Sequence, residues 1–135
     1  MRALVMPVGP DWYGVAMTSV REVVDRPRLT ALPTAPDNVV GLFNLRGEIV
    51  PLFDTAALLE VGQVGKGDFV AIVQTALGLA GLAATGMPES LELGEPFGAS
   101  EMAIGIATYR VGARLVTLID VELLLAPAHV GGVVE

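Results

Sequence analysis

Arg46 stands at a glycine turn between two apolar runs in the stretch NLRGEIVPLFD, Asn44 to Asp54. In a chain with only 17% charged residues, two readings of this position are open. Arg46 is a solvated turn residue, or it is a planar fork aimed at a carboxylate. The carboxylate that fits is Glu22 of SVREVV, which sits among apolar residues in the first half. Two parallel hydrogen bonds hold such a pair, so it fixes geometry as well as charge. At a partly buried hairpin the pair adds little net stability once desolvation is counted, yet losing one partner is costly. The chemistry that follows is recognition, not catalysis.

Other reactive residues are few. Asp54 and Asp120 could make a paired-carboxylate acid/base site, the basis of an alternative reading as a ligand-binding barrel or small enzyme. Each also precedes a short apolar run, where a carboxylate caps the first free N–H groups of a helix. His129, the sole histidine, lies in the glycine-rich APAHVGGVVE and reads as a solvated tail residue. With no cysteine, thiol chemistry, disulfides and cysteine-ligated metals drop out. Glu89, Glu92 and Glu95 lack the loop pattern of a calcium site, and VGQVGKGD has no Ser or Thr after its lysine to complete a phosphate loop. No metal or cofactor is expected. A formal charge of −7 argues against nucleic acid and anionic membranes as partners, and Arg21, Arg26 and Arg28 read as a solvated edge.

Short elements must position these residues. Leu4 to Val8 and Trp12 to Met17 flank the turn signal GPD, and RPRLTALPTAPDN carries three prolines that keep it extended or turning. Val39 to Leu45 and Glu48 to Phe53 form a hairpin. A two-residue type I′ turn would force Arg46 to positive φ, so a type I turn with Gly47 as the left-handed bulge residue is expected. Ile49, Pro51 and Phe53 share one face and Val50 and Leu52 the other, so both faces should be covered. Pro51 belongs at a ladder gap, bulge or edge. Asp54 leads into a helix at Thr55 to Leu59, and Asp120 into one at Val121 to Leu125.

Phe69 to Met87 has no charge over 19 residues, near the ~20 of a membrane span. Its polar residues and glycines favour a buried hairpin. The apolar run before Pro7 is too short for a signal peptide, which points to the cytoplasm. The acidic stretch Gly86 to Met102 reads as a solvated connection.

GEIVPLFDTAALL recurs in pattern as ARLVTLIDVELLL at an offset of 66 residues, pairing Leu52 with Leu118 and Asp54 with Asp120. A duplicated unit of short antiparallel strands follows, built as small barrels packed together. The chain reads as a single domain, 1–135, with approximate subdomains at 12–65 and 66–125 and the N-terminal strand and C-terminal tail free to cross between them.

SVREVV, the proline-rich stretch, GLFNLRGEIVPLFD and GARLVTLIDVELLL together resemble the chemotaxis coupling proteins of the CheW-like family, from about Leu4 to Leu125. The resemblance implies an all-β fold of two SH3-like five-stranded barrels on a shared hydrophobic core, with short helices. It also implies a non-catalytic adaptor in cytoplasmic arrays, joining a chemoreceptor signalling tip to the regulatory domain of a CheA-type histidine kinase without inserting in the membrane. Carried over by position, the binding surface comprises Val20, Glu22, Gly41, Leu42, Asn44, Arg46 and Gly47. Leu42, Val50 and Leu52 become candidates for lining a groove, with core burial as their other role. The chain departs from the family pattern in DTAALLE, which lacks a positive charge, and in GLAATGMP, which lacks an acid.

Overall fold

The structure is a computed structural model, described for residues 1–36 and 38–130. Eleven strands and three short helices are described: β1 Arg2–Val8, β2 Asp11–Ala16, β3 Val20–Asp25, β4 Val39–Leu45, β5 Glu48–Phe53, α1 Thr55–Leu59, β6 Phe69–Thr75, β7 Gly78–Ala84, β8 Glu89–Glu92, β9 Gly98–Ala99, β10 Gly105–Val111, β11 Arg114–Ile119, α2 Val121–Leu124 and α3 Pro127–Val130. A 3-10 turn, Met17–Ser19, joins β2 to β3.

Two sheets hold these strands, in the orders β8-β1-β2-β11-β10-β9 and β3-β6-β7-β5-β4. Apart from β9 the orders are equivalent, each with one internal parallel contact. In one, Leu118 of β11 lies opposite Gly14 of β2; in the other, Leu52 of β5 lies opposite Gly81 of β7. The glycines are a packing requirement. A Cβ on Gly81 would stand 2.7 Å from Val70 Cγ1, and one on Gly14 3.3 Å from Val116 Cγ1.

The sheets do not divide the chain at 12–65 and 66–125. The hairpin β6–β7 completes the sheet of β3, β4 and β5, while β1–β2 pairs with β10 and β11. Each half of the duplication therefore lends its hairpin to the other, and not the N-terminal strand alone but all of β2 crosses over.

Period-2 alternation gives most central strands two apolar faces, and both are used. Ala3 and Val5 face an inner core with Tyr109, Val116 and Leu118. Val50, Leu52, Val70 and Ile72 fill the corresponding core of the second sheet with Phe43. Between the sheets lies a third, larger core of Leu4, Met6, Val15, Phe53, Val73, Leu82 and Leu124, capped by α1 and α2. Each sheet thus curls around its own interior and shares an interface with the other, consistent with two SH3-like units. Burying a Leu, Ile or Val side chain stabilises by roughly 1.5–3 kcal/mol, so these clusters supply the main driving force.

Several local expectations change. Leu45 pairs with Glu48, and Arg46 and Gly47 take φ of +50° and +93°. That is a type I′ turn, in place of the expected type I turn with a bulge. Its twist matches that of the flanking strands, which offsets the cost of a left-handed arginine. Ile49 is 60% exposed, so its face of β5 is uncovered at this end. At the far end of the same face Phe53 is buried in the central core, which does not extend to Ile49. Pro51 sits opposite Leu42 just before the pairing of β5 with β7 begins at Leu52. Gly86 to Met102 is more than a connection, since it contains β8, paired with β1, and β9, paired with β10. Phe69 to Met87 carries the hairpin β6–β7, and no helix among the described residues is long and apolar enough to cross a membrane. His129 lies in α3, where its Nε2 donates to the Leu58 carbonyl at 2.6 Å and ties α3 to α1. The glycine-rich end, 131–135, and Asp37 of the proline-rich stretch lie outside the described residues.

Candidate partner-binding surface

The second sheet has β3 at one edge and β4 at the other. Laid flat, five strands at ~4.8 Å spacing would hold those edges about 19 Å apart. Two contacts show how far the sheet curls. Thr30 N–H donates to Leu42 O at 2.7 Å and Leu42 N–H to Thr30 O at 2.8 Å, bringing the chain beyond β3 onto the free edge of β4. Arg46 then reaches Glu22 of β3. Its Nη1 donates to Oε1 at 3.3 Å and its Nη2 to Oε2, a two-pronged ion pair.

The pair is less buried than a partly buried hairpin implies. The Arg46 side chain is 69% exposed and that of Glu22 27% exposed. Hydrogen bonding to Arg46 holds the Glu22 carboxyl below its ordinary value of 4.5, opposed by partial desolvation and aided by the charges of Arg46 and Arg21. Arg46 is raised in turn by the same hydrogen bonding. The turn beneath it is braced by Asn44, whose Oδ1 accepts from Gly47 N–H at 2.8 Å.

Beside the pair an open cavity of about 480 Å³ is lined by Pro27, Arg28, Thr30, Leu42, Asn44 and Ile49, with buried Phe43 in its floor. Gly41 belongs to its construction, because a Cβ there would meet Thr30 O at 2.9 Å and push the covering segment away. Of the residues singled out in sequence, Glu22, Asn44, Arg46 and Gly47 cluster at the turn, and Gly41 and Leu42 shape the adjoining cavity. Val20 lies apart, at the start of β3, packed against the central core. Val50 and Leu52 are fully buried in the inner core and line no groove.

Arg28 and Ile49 are additions that sequence reasoning missed. Arg28 looked like part of a solvated cluster. Its neighbours behave that way: Arg26 pairs with Asp25 and Asp68, and Arg21 donates to Gln74 Oε1 at 2.6 Å. The signal for Ile49 was its place next to Glu48 at the turn end of the hairpin.

The two aspartates have separate, local work. Asp54, 6% exposed, accepts from Ala57 N–H at 3.1 Å, from Val64 N–H at 3.0 Å and from Gly65 N–H at 2.8 Å. It therefore caps α1 and pins the loop that follows. Asp120 accepts from Glu122 and Leu123 N–H at 3.0 and 3.2 Å. Neither lines a cavity described here. Among the described residues no group of three or more His, Asp or Glu is placed to hold a metal ion.

Comparison with known proteins agrees with this architecture. The chain matches the CheW-like domain family over residues 2–128. It is 27% identical to the chemotaxis protein CheW of Klebsiella aerogenes over 133 residues, covering 91% of this chain and 80% of that protein. It is 36% identical to the chemotaxis protein CheW of Treponema pallidum over 70 residues, 47% of this chain and 41% of the relative. The crystal structure of the scaffolding protein TtCheW from Thermoanaerobacter tengcongensis superposes with a TM-score of 0.78 at 23% identity, covering 93% of this chain and 92% of the other, a likeness of fold. With nearly its whole length matched, this chain belongs to the CheW-like domain family.

Proposed function

We propose that the protein is a non-catalytic chemotaxis adaptor, joining a chemoreceptor signalling tip to the regulatory domain of a CheA-type histidine kinase at receptor arrays in the cytoplasm. Family membership supports the adaptor role. The observation that carries the choice of surface is the Glu22–Arg46 pair, formed across the two edges of one sheet beside an apolar cavity. An ion pair this exposed contributes little to folding, because water and salt screen it. A left-handed arginine costs the backbone something that glycine would avoid. The equivalent turn of the other, six-stranded sheet does avoid it, with Gly112 at φ +63° in the first turn position. An arginine kept where glycine is easier is best explained by what its side chain does at the surface.

The partner contacts assigned to Val20, Glu22, Gly41, Leu42, Asn44, Arg46 and Gly47 follow from this reading, and Arg28 and Ile49 join them as neighbours in the cavity wall. The enzyme reading loses its support, because both aspartates are occupied by backbone donors. Calorimetric titration against the regulatory domain of the cognate kinase tests the proposal. Micromolar binding that Arg46→Glu removes supports adaptor and surface together. Binding unaffected by the substitution keeps the adaptor and rejects the surface, and no binding to kinase domain or receptor tip rejects the adaptor.

A further inference from the structure

We propose that a second cavity, at the far side of the other sheet, binds a small organic cation of the guanidinium or ammonium class. About 510 Å³ in volume, it lies against β2, β10 and β11 and is walled by β9 and the segment that follows. That size is within the range of small-molecule sites. The inference is independent of the kinase- and receptor-binding surface, which involves none of these residues.

Three features select a cation. The first is charge: Asp11 and Glu101 line the cavity, no Lys, Arg or His does, and neither carboxylate forms an ion pair among the described residues. The second is the aromatic wall formed with Trp12 and Phe97. These rings already attract cations from outside the lining. The Arg114 guanidinium lies 4.2 Å from the Trp12 centroid and that of Arg110 4.9 Å from Phe97. The attraction is that of a ring quadrupole for positive charge.

The third is an unused polar group. Tyr13 lines the cavity at 4% exposure, and its hydroxyl has no hydrogen-bond partner among the described residues. The hydroxyl oxygen itself is not sealed off, so it is free to bond a polar ligand atom that enters the cavity. Burial, and secondarily the Asp11 charge, pushes the Tyr13 hydroxyl above its ordinary value, so it stays protonated and neutral. The exposed Leu115 at the rim offers apolar contact for an alkyl stem.

Agmatine, a guanidinium and an ammonium joined by four methylenes, is a suitable probe, and Trp12 is the chain's only tryptophan and so a built-in reporter. Titration of the full chain is expected to change Trp12 fluorescence saturably below ~10 mM, while N-butylurea, its neutral analogue, does not. Asp11→Asn and Glu101→Gln, both at exposed positions, should each weaken binding about tenfold, the loss of one charge-assisted hydrogen bond. Tyr13→Phe should weaken it about threefold with the ring retained. No saturation by agmatine, equal binding of N-butylurea, or unchanged affinity in both carboxylate variants would each overturn the assignment. So would saturable binding by an arginine-containing peptide when agmatine fails, which would assign the cavity to a partner's side chain.

Discussion

Glu22 of β3 and Arg46 of the β4–β5 turn form a two-pronged ion pair between the opposite edges of one five-stranded sheet. The contact exists only because the sheet curls, and it places a fixed, directional charge pair beside the cavity lined by Leu42 and Ile49. Charge pairs at interface rims govern register and association more than bulk affinity.

Reversing Arg46 should therefore be repaired by reversing its partner. Arg46→Glu is expected to weaken kinase or receptor binding at least tenfold, and adding Glu22→Arg to recover part of that loss. A calorimetric double-mutant cycle measures the coupling. A double variant no better than the single one would show that the pair does not act as a unit.

Arg46→Gly separates backbone from side chain. Glycine adopts the left-handed turn without strain, so the thermal midpoint should hold or rise while binding falls. A large drop in the midpoint would mean that the pair is holding the fold together.

Adjacent residues on β5 should divide in the same way. Leu52 is fully buried, and Leu52→Ala is expected to cost about 3 kcal/mol in denaturant unfolding. Ile49→Ser, at an exposed site, should cost little stability and reduce partner binding. The opposite pattern would place the recognition surface on another face.

Glu22 should titrate below 4.5, because hydrogen bonding to Arg46 favours its charged form. A depressed folded-state value makes the pair's contribution fully present above the unfolded value, and lost as pH falls through the folded one. The side-chain carboxyl shift, followed by NMR, should show a low midpoint that returns toward 4.5 in Arg46→Gln. An unmoved midpoint would dissociate the shift from the pair.

Asp54→Ala frees three backbone N–H donors in a buried setting, whereas Asp120→Ala frees two in a more open one. The first should cost about 2 kcal/mol and the second about 1 kcal/mol by chemical denaturation. Loss of partner binding without loss of stability would reopen a functional role for either aspartate.

Local patterns in the sequence determined a good deal. Alternating and continuous apolar runs marked the hairpins β1–β2 and β4–β5, Asp54 and Asp120 marked the helix starts, and the 66-residue offset marked the duplication. The partnership of Glu22 with Arg46 was legible because few charges compete for either. Each of these signals acts within a few residues, or by elimination among a handful of candidates.

What tertiary structure alone decided concerns which equivalent element goes where. A duplicated pattern gives β1–β2 and β6–β7 the same apolar alternation, so neither hairpin's own residues state which sheet it completes. Parallel pairing of Leu118 with Gly14 and of Leu52 with Gly81 settles that, through contacts between residues more than 25 positions apart. The same long-range packing leaves Ile49 uncovered, draws Arg28 into a cavity wall and docks His129 on Leu58. It also holds Arg46 in a backbone region that local preference disfavours, because strand twist and turn length outweigh the preference of one residue.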